Sequence, residues 1–354
     1  MIIVHYIPDM SLITGIVPEY VNRLASATEQ VSTNHILTFK DLGDGVLSFR
    51  KNLTRQLHLV NPDIVHVHAS WDFYSALVVM IARKLGFLVV VSPHGGLSPE
   101  NMEVNFWKNR LPRLLAYQIR MIKRCHMVVV TSEEELKDLK RLNWKNNIAI
   151  IPHPITNNIS NEELRTITQA AYRKVIDTNY LRSMSQQERQ FVYTCVKAAV
   201  WNDERISEMP VGEIDKEGLS FRRIYLYAHD QGVTDELIEG AHKLNVNLPP
   251  QIDVAAIPRF ATKQPDDRKD ARKLQVVIQI LENLTGKTCG TDVRHITLGA
   301  LLKAYDLLRF NDFDEDEFMR LAKKYDVLKY AKRLMSTFQT MFQLETGFMP
   351  VLPK

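Results

Sequence analysis

Short apolar runs alternate with amphipathic stretches over residues 1–153. The runs are rich in β-branched residues, as buried parallel strands are. We predict strands at Ile2 to Ile7, His35 to Phe39, Ile64 to His68, Phe87 to Ser92, Met127 to Thr131 and Ile148 to Ile151. The stretches between them have the spacing of helices. Alternating strands and helices form a doubly wound parallel sheet, so we predict a Rossmann-like α/β domain over residues 1–153.

The pattern changes after residue 153, where helical spacing dominates. We predict helices at Asn161 to Asn179, Gln186 to Trp201, Thr234 to Leu244, Lys269 to Leu284, His295 to Phe310, Glu315 to Lys324 and Val327 to Leu344. One strand-like run, Arg223 to Ala228, interrupts them, and prolines between Leu248 and Pro265 mark a candidate linker. We therefore expect a helical region with one strand over residues 154–248 and a C-terminal helical region over residues 266–354.

Composition and charge narrow the class of protein. The formal net charge of +4 is too mild over 354 residues to indicate a nucleic-acid partner. Three scattered cysteines without a CxxC pair indicate buried thiols in a reducing compartment. The N-terminus lacks the pattern of a signal peptide, and the apolar run from Ala76 to Val91 is broken by Arg83 and Lys84. We expect a cytoplasmic protein that is at most peripheral to the membrane.

Three motifs in the first region follow one another in a distinctive order. They are Pro62 to His68 at the end of one strand, Arg83 to Pro99 around the next, and Val128 to Glu135 followed by Ile150, Ile151 and Pro152. In this order and spacing they resemble the N-terminal, acceptor-side lobe of GT-B fold glycosyltransferases of family four. That family moves sugars from nucleotide-sugar donors to acceptors that include polysaccharides and lipid-linked glycans.

The resemblance implies roles for particular residues. His94 matches the family histidine that points into the cleft near the transferred sugar, so it is the candidate catalytic residue. Gly15 matches the loop that faces the cleft, and Gly95 and Gly96 leave room for a sugar beside His94. His68, at a strand end, is a further candidate for substrate binding.

Two further sets of residues leave alternatives open. Trp71 could stack on an acceptor sugar or pack in the core. His66 and His68 lie two apart on a strand and so point the same way. Such a pair could bind a metal, but the sequence places no third ligand. We therefore expect no metal and no prosthetic group, and we interpret His66 as a packed core histidine.

The second half lacks the donor-binding signature of the family. Residues 155–354 contain no Gly-Arg followed by Lys-Gly and no pair of glutamates eight positions apart. The usual Asn-Gly turn that leaves the first lobe is replaced by His153-Pro154. Three hypotheses follow: an enzyme with an atypical second half, a non-catalytic derivative that binds a glycan or a glycosyltransferase partner, or an enzyme whose donor lobe is a second chain.

The segment from Asn105 to His126 is basic and apolar. It holds six lysines and arginines, no acidic residue, and interleaved aromatic and aliphatic side chains. A helix of this composition can lie on an anionic membrane surface. The alternative is a helix that packs on the sheet and exposes a basic face to solvent.

Overall fold

The chain divides into two compact units. The computed structural model describes residues 1–10, 16–201, 218–261, 269–290 and 296–353. The first unit comprises Met1–Arg182 together with Pro258–Ala261, and the second comprises Ser183–Ile257 and Thr262–Lys354. The segment after residue 153 thus contributes a helix to the first unit before the second begins.

A six-stranded parallel sheet forms the centre of the first unit. Its strands, numbered in chain order, are β1 (Ile2–Ile7), β2 (Thr33–Thr38), β3 (Ile64–Val67), β4 (Leu88–Val91), β5 (Met127–Val130) and β6 (Ile148–Ile150). They lie side by side in the order β2-β1-β3-β4-β5-β6, and every neighbouring pair is parallel. The predicted doubly wound α/β fold is confirmed.

Helices connect and cover the strands. They are α1 (Ile16–Thr28), α2 (Phe39–Leu42), α3 (Val46–Val60), α4 (Phe73–Lys84), α5 (Pro99–Glu103), α6 (Leu111–Arg113), α7 (Ile119–Arg124), α8 (Glu133–Leu142) and α9 (Asn161–Thr178). The short helices α6 and α7 continue two π-helical stretches, Phe106–Arg110 and Leu114–Gln118, so residues 106–124 are helical throughout. A 3-10 turn, Tyr180–Arg182, ends the main segment of this unit.

Alternate residues of each strand enter different cores, because strand side chains point to opposite faces in turn. On one face, Val65, Val67, Val89 and their equivalents pack under α3, α4, α7 and α8. On the other face, Ile3, Ile64 and their equivalents pack under α1 and α9. The second face also carries histidines, as described below.

The described residues of the second unit form helices without a strand. These are α10 (Gln186–Val200), α11 (Phe221–Gln231), α12 (Thr234–Lys243), α13 (Lys269–Thr285), α14 (Leu298–Phe310), α15 (Glu315–Lys324), α16 (Leu328–Phe342) and the 3-10 turn Thr346–Phe348. The predicted mostly helical second half is therefore confirmed. None of the helices in the described ranges is both long enough and apolar enough to span a bilayer.

The strand predicted at Arg223 to Ala228 is wrong, because these residues lie within α11. Ile224, Tyr225, Leu226, Tyr227 and Ala228 are all buried. A helix that is buried over consecutive positions loses its polar face, and a short apolar run then has the pattern of a buried strand.

Two helices of the second unit, α10 and α12, approach each other closely at Gly240 in α12. A Cβ atom there would lie 1.8 Å from the carbonyl oxygen of Cys195 in α10. Because the obstacle is backbone rather than a flexible side chain, the two helices would have to separate. We expect Gly240→Ala to lower the free energy of unfolding by about 1–3 kcal/mol, the usual cost of overpacking.

Urea denaturation measures this loss, and Gly347→Ala is the matched control because a Cβ atom there would meet nothing within 4 Å. Equal stability of the two variants would contradict the close backbone contact.

Candidate functional site

The candidate site lies at the carboxyl edge of the parallel sheet. Strand order reverses between β1 and β3, since β2 lies on one side of β1 and all later strands lie on the other. Ligands of open α/β sheets bind beyond the carboxyl ends of the strands at such a switch point. The loop after β1 belongs to this edge, but Gly15 within it lies outside the described residues.

Three histidines occupy one face of β1 and β3. His5 is the direct cross-strand partner of His66, and His68 follows two positions after His66 on the same face. All three side chains are buried, each with 1% exposure or less. A buried polar group is costly without a hydrogen-bond partner, so the contacts of these rings decide what the face can do.

Each ring has partners for both nitrogens. His66 is hydrogen-bonded to Tyr172 Oη of α9 and to Ser92 Oγ, both at 2.7 Å. Nδ1 of His5 lies 2.9 Å from Nε2 of His68, and Nε2 of His5 lies 3.3 Å from Oδ1 of Asn34 in β2. The remaining nitrogen of His68, Nδ1, lies 3.2 Å from Nε2 of His94.

Burial keeps these rings neutral. It lowers the pKa of His5 to about 4 and the pKa of His94 to about 3, with the charge of His153 adding to the effect on His94. The pKa values of His66 and His68 are held well below the ordinary value by burial and by the neighbouring histidines. At neutral pH the row is therefore uncharged, and each ring carries one proton.

His94 is the member of this row that reaches the surface. It follows β4 in a turn, is partly exposed, and adopts a left-handed φ of 50°. The ring of Tyr20 from α1 meets it edge-on, with 5.0 Å between centroids. A non-glycine residue in this conformation is uncommon and costs conformational energy. The structure accordingly places the predicted catalytic residue at the carboxyl edge, in a fixed and neutral state.

The two glycines after His94 serve different purposes. Gly95 has a φ of 73°, a conformation that suits glycine. Gly96 is packed closely: a Cβ atom there would lie 1.9 Å from Ser70 Oγ and 3.0 Å from the carbonyl oxygen of Pro93. Both glycines therefore shape the turn that carries His94.

Glu135 holds this turn from the neighbouring strand-to-helix connection. One carboxylate oxygen accepts the backbone N–H of Gly95 at 2.7 Å, and the other accepts the N–H of Thr131 at 2.8 Å. Ser132 caps α8 by accepting the N–H of Glu135. The start of α8 thus also ties the loop after β4 to the loop after β5.

Trp71 is enclosed rather than presented to solvent. Its side chain is 6% exposed, its indole N–H donates to the carbonyl oxygen of Gly96, and the guanidinium of Arg110 lies 4.6 Å above the ring. Its backbone is held by Gln118 and Tyr117. Of the two roles considered for Trp71, these surroundings fit packing in the core.

The ligating atoms of His5, His66 and His68 lie within 4.8 Å of one another, which is close enough for the three rings to share a metal ion. All six ring nitrogens of the three residues already have hydrogen-bond partners, in Asn34, Tyr172, Ser92, His94 and one another. A metal would have to displace several of these bonds. The contacts describe a hydrogen-bonded row better than a metal centre.

Several residues of the site were not identified from the sequence. His5 and Asn34 lie far from His68 along the chain, and only the sheet order brings them together. His153, from the Pro-His-Pro segment, hydrogen-bonds the carbonyl oxygen of Ile16 through Nε2. Its position after β6 was a signal, since it too follows a strand end.

The neutral row predicts acid sensitivity. The folded protein disfavours protonation of His5, His66, His68 and His94, whereas the unfolded chain takes up protons as the pH falls through about 6.5. Stability is therefore present above that pH and lost below it. Between about pH 7.5 and about pH 5.5 we expect the free energy of unfolding to drop by about 1.4 kcal/mol per histidine.

Urea denaturation followed by tryptophan fluorescence at each pH measures this drop. The interval from about pH 7.5 to 8.5 is the control, because the four rings are neutral in both states there. An unfolding free energy that stays constant down to about pH 5.5 would contradict the buried neutral row.

The clamp made by Glu135 is testable by exchange. Glu135→Gln keeps the shape but replaces one accepting oxygen by an NH2 group, which leaves one backbone N–H without an acceptor. We expect amide hydrogen exchange to become at least about fivefold faster either in a peptide spanning residues 93–98 or in one that contains the N–H of Thr131, according to which oxygen is replaced. Glu134→Gln, at the exposed neighbouring position, is the control, and identical exchange in both variants would contradict the clamp.

The similarity of this chain to solved structures is low. No curated protein matches the chain. Among solved structures, the UDP-GlcNAc 2-epimerase from Methanocaldococcus jannaschii is similar at 16% identity and a TM-score of 0.33, over 57% of this chain and 54% of that one. A candidate UDP-N-acetylglucosamine 2-epimerase from Listeria monocytogenes aligns over 98% of both chains at 11% identity and a TM-score of 0.32. This chain thus spans about half of the first of these structures, and TM-scores this low carry no inference about function.

The family comparison is specific to the N-terminal region. Residues 16–157 match the family Glycosyltransferase Family 4. These residues include four of the histidines described above (His66, His68, His94 and His153), both glycines after His94, and Glu135. The predicted resemblance of the N-terminal region to the family-four glycosyltransferases is confirmed by this match.

Proposed function

We propose that the chain takes part in sugar transfer from a nucleotide-sugar donor to a polysaccharide or lipid-linked acceptor. The observation that carries this proposal is His94: a neutral, partly exposed imidazole at the carboxyl edge of a family-four domain. A neutral imidazole can hydrogen-bond a sugar hydroxyl without adding charge to the site. The space beside Gly95 is open, because a Cβ atom there would meet nothing within 4 Å.

The chemistry needs more than His94. When the sugar–phosphate bond breaks, the leaving diphosphate gains negative charge, which basic side chains or backbone N–H groups must stabilise. In the family these groups come from a second Rossmann-like lobe, whereas the described residues of the second unit here are helical. The donor would be a co-substrate, and no prosthetic group is required.

The helical second unit favours an alternative. A chain without a donor lobe could bind a glycan or a glycosyltransferase without catalysing transfer, or could obtain the donor site from a partner chain. The versions that bind a glycan place it at the first domain. The three versions differ in whether the chain alone binds a nucleotide sugar.

Calorimetric titration with UDP-, GDP- and TDP-sugars separates these versions. We expect saturable binding of one of them, weakened at least about tenfold in His94→Ala, the effect of losing a buried hydrogen bond. His58→Ala, at an exposed position of α3, is the control. A folded protein that binds none of the three would contradict the self-sufficient transferase and favour the non-catalytic or two-chain version.

We also propose that the first domain meets the inner face of the cytoplasmic membrane. Within residues 104–124 three apolar side chains are largely exposed: Val104 at 56%, Trp107 at 78% and Leu115 at 65%. Exposed basic side chains lie among them, at Lys108, Arg113, Arg120, Lys123 and Arg124. Packing on the sheet accounts for the buried Met121 and Ile122, but not for the exposed apolar set. We name residues 104–124 the basic-apolar segment.

An anionic membrane surface would contact both the basic and the apolar exposed side chains of this segment. Anionic headgroups attract the basic side chains, and the apolar side chains enter the boundary between headgroups and acyl chains. A lipid-linked acceptor would be reached from the same position. The proposal thus links a lipid-linked acceptor to the basic-apolar segment of the domain.

Vesicle co-sedimentation tests the contact. We expect binding to phosphatidylglycerol vesicles that weakens with salt, and about tenfold weaker binding for Trp107→Ser, since a large apolar side chain no longer leaves water. Leu59→Ser is the control, because Leu59 is 69% exposed and lies outside the segment. Equal binding of both variants would contradict a role for the basic-apolar segment.

A further inference from the structure

The row of histidines ends at an amide whose orientation is fixed. Nδ2 of Asn34 donates to the carbonyl oxygen of Ala25 at 2.9 Å and to Oγ1 of Thr28 at 3.0 Å. Thr28 Oγ1 gives its own proton to the carbonyl oxygen of Leu24 at 2.8 Å, so it accepts from Asn34. The carbonyl oxygen of the Asn34 side chain therefore faces His5, and it can only accept.

This acceptor determines the proton positions along the row. His5 must donate from Nε2 to Asn34, and a neutral ring then leaves Nδ1 as an acceptor. His68 consequently donates from Nε2 to Nδ1 of His5 across 2.9 Å, and its own Nδ1 accepts. His94 in turn donates from Nε2 to Nδ1 of His68 across 3.2 Å. A single reversed ring would bring two N–H groups or two lone pairs face to face.

We propose that Asn34, acting through His5 and His68, fixes His94 in the tautomer that carries its proton on Nε2 and presents Nδ1 as a hydrogen-bond acceptor. No donor to Nδ1 of His94 is found among the described residues. The group that completes this nitrogen is a hydrogen-bond donor of the ligand, and in a sugar that donor is a hydroxyl. The hydroxyl part of the inference rests on the proposed function, whereas the tautomer is a property of the free protein.

Asn34 is thus a positioning residue. It contacts neither His94 nor the open edge of the site, and it acts two rings away. His66 offers a contrast on the same face: its ring centroid lies 3.9 Å from that of His68, yet its nitrogens pair with Ser92 and Tyr172. A change at Ser92 should therefore alter His66 without altering the proton positions of the row.

Nuclear magnetic resonance of the full chain with ¹⁵N-labelled histidine tests the proposal, since the nitrogen shift distinguishes a protonated ring nitrogen from one with a lone pair. In the wild type we expect His5, His68 and His94 to carry protons on Nε2, with the other tautomer at least about tenfold less populated. Asn34→Leu removes the accepting oxygen, and the minor tautomer should rise severalfold in all three rings together.

The variant Ser92→Ala is the matched control, and we expect it to change only His66. A proton on Nδ1 of His94 in the wild type, or an Asn34→Leu spectrum identical to the wild type, would overturn the proposal. Failure of the function is distinguishable. A row in the expected tautomer that no UDP-, GDP- or TDP-sugar perturbs would leave the positioning by Asn34 standing and refute the nucleotide-sugar proposal.

Discussion

Three buried imidazoles lie between the β-sheet and two helices. All of their hydrogen bonds are made within the protein, and the rings must stay uncharged there. Desolvation makes a buried cation costly, so each ring exchanges hydrogen bonds with a neighbour of matching polarity. The partners come from β1, β2 and β3 and from the turn after β4. Sheet order, helix cover and the position of His94 therefore depend on one another.

The two units of the chain differ in whether they have a sheet edge where polar side chains meet. In the first, parallel strands converge at one edge, and polar side chains from distant segments meet there. In the second, the described helices offer no equivalent edge. The first unit has the kind of sheet edge at which open α/β sheets bind ligands. The second has a helical architecture whose role the family resemblance does not supply.

Local patterns predicted most of the elements but few of the long-range contacts. The strands Ile64–Val67 and Met127–Val130 followed from apolar runs, and the shared face of His66 and His68 followed from their spacing. His5 was missed because its meeting with His68 depends on the order of strands, which alternation alone leaves open. Glu135 belongs to the motif Val128 to Glu135, but the sequence does not reveal that one of its oxygens reaches Gly95. The strand prediction at Arg223 to Ala228 was wrong because burial at consecutive positions removes the hydrophobic periodicity that distinguishes a helix from a strand.

The left-handed backbone of His94 has a consequence for how this protein can vary. Glycine adopts that conformation more easily than histidine, so the turn itself would gain from losing its side chain. A glycine there would relieve this strain but would leave Nδ1 of the buried His68 without its hydrogen-bond donor. Position 94 is therefore a place where the local backbone and the row of histidines favour different residues.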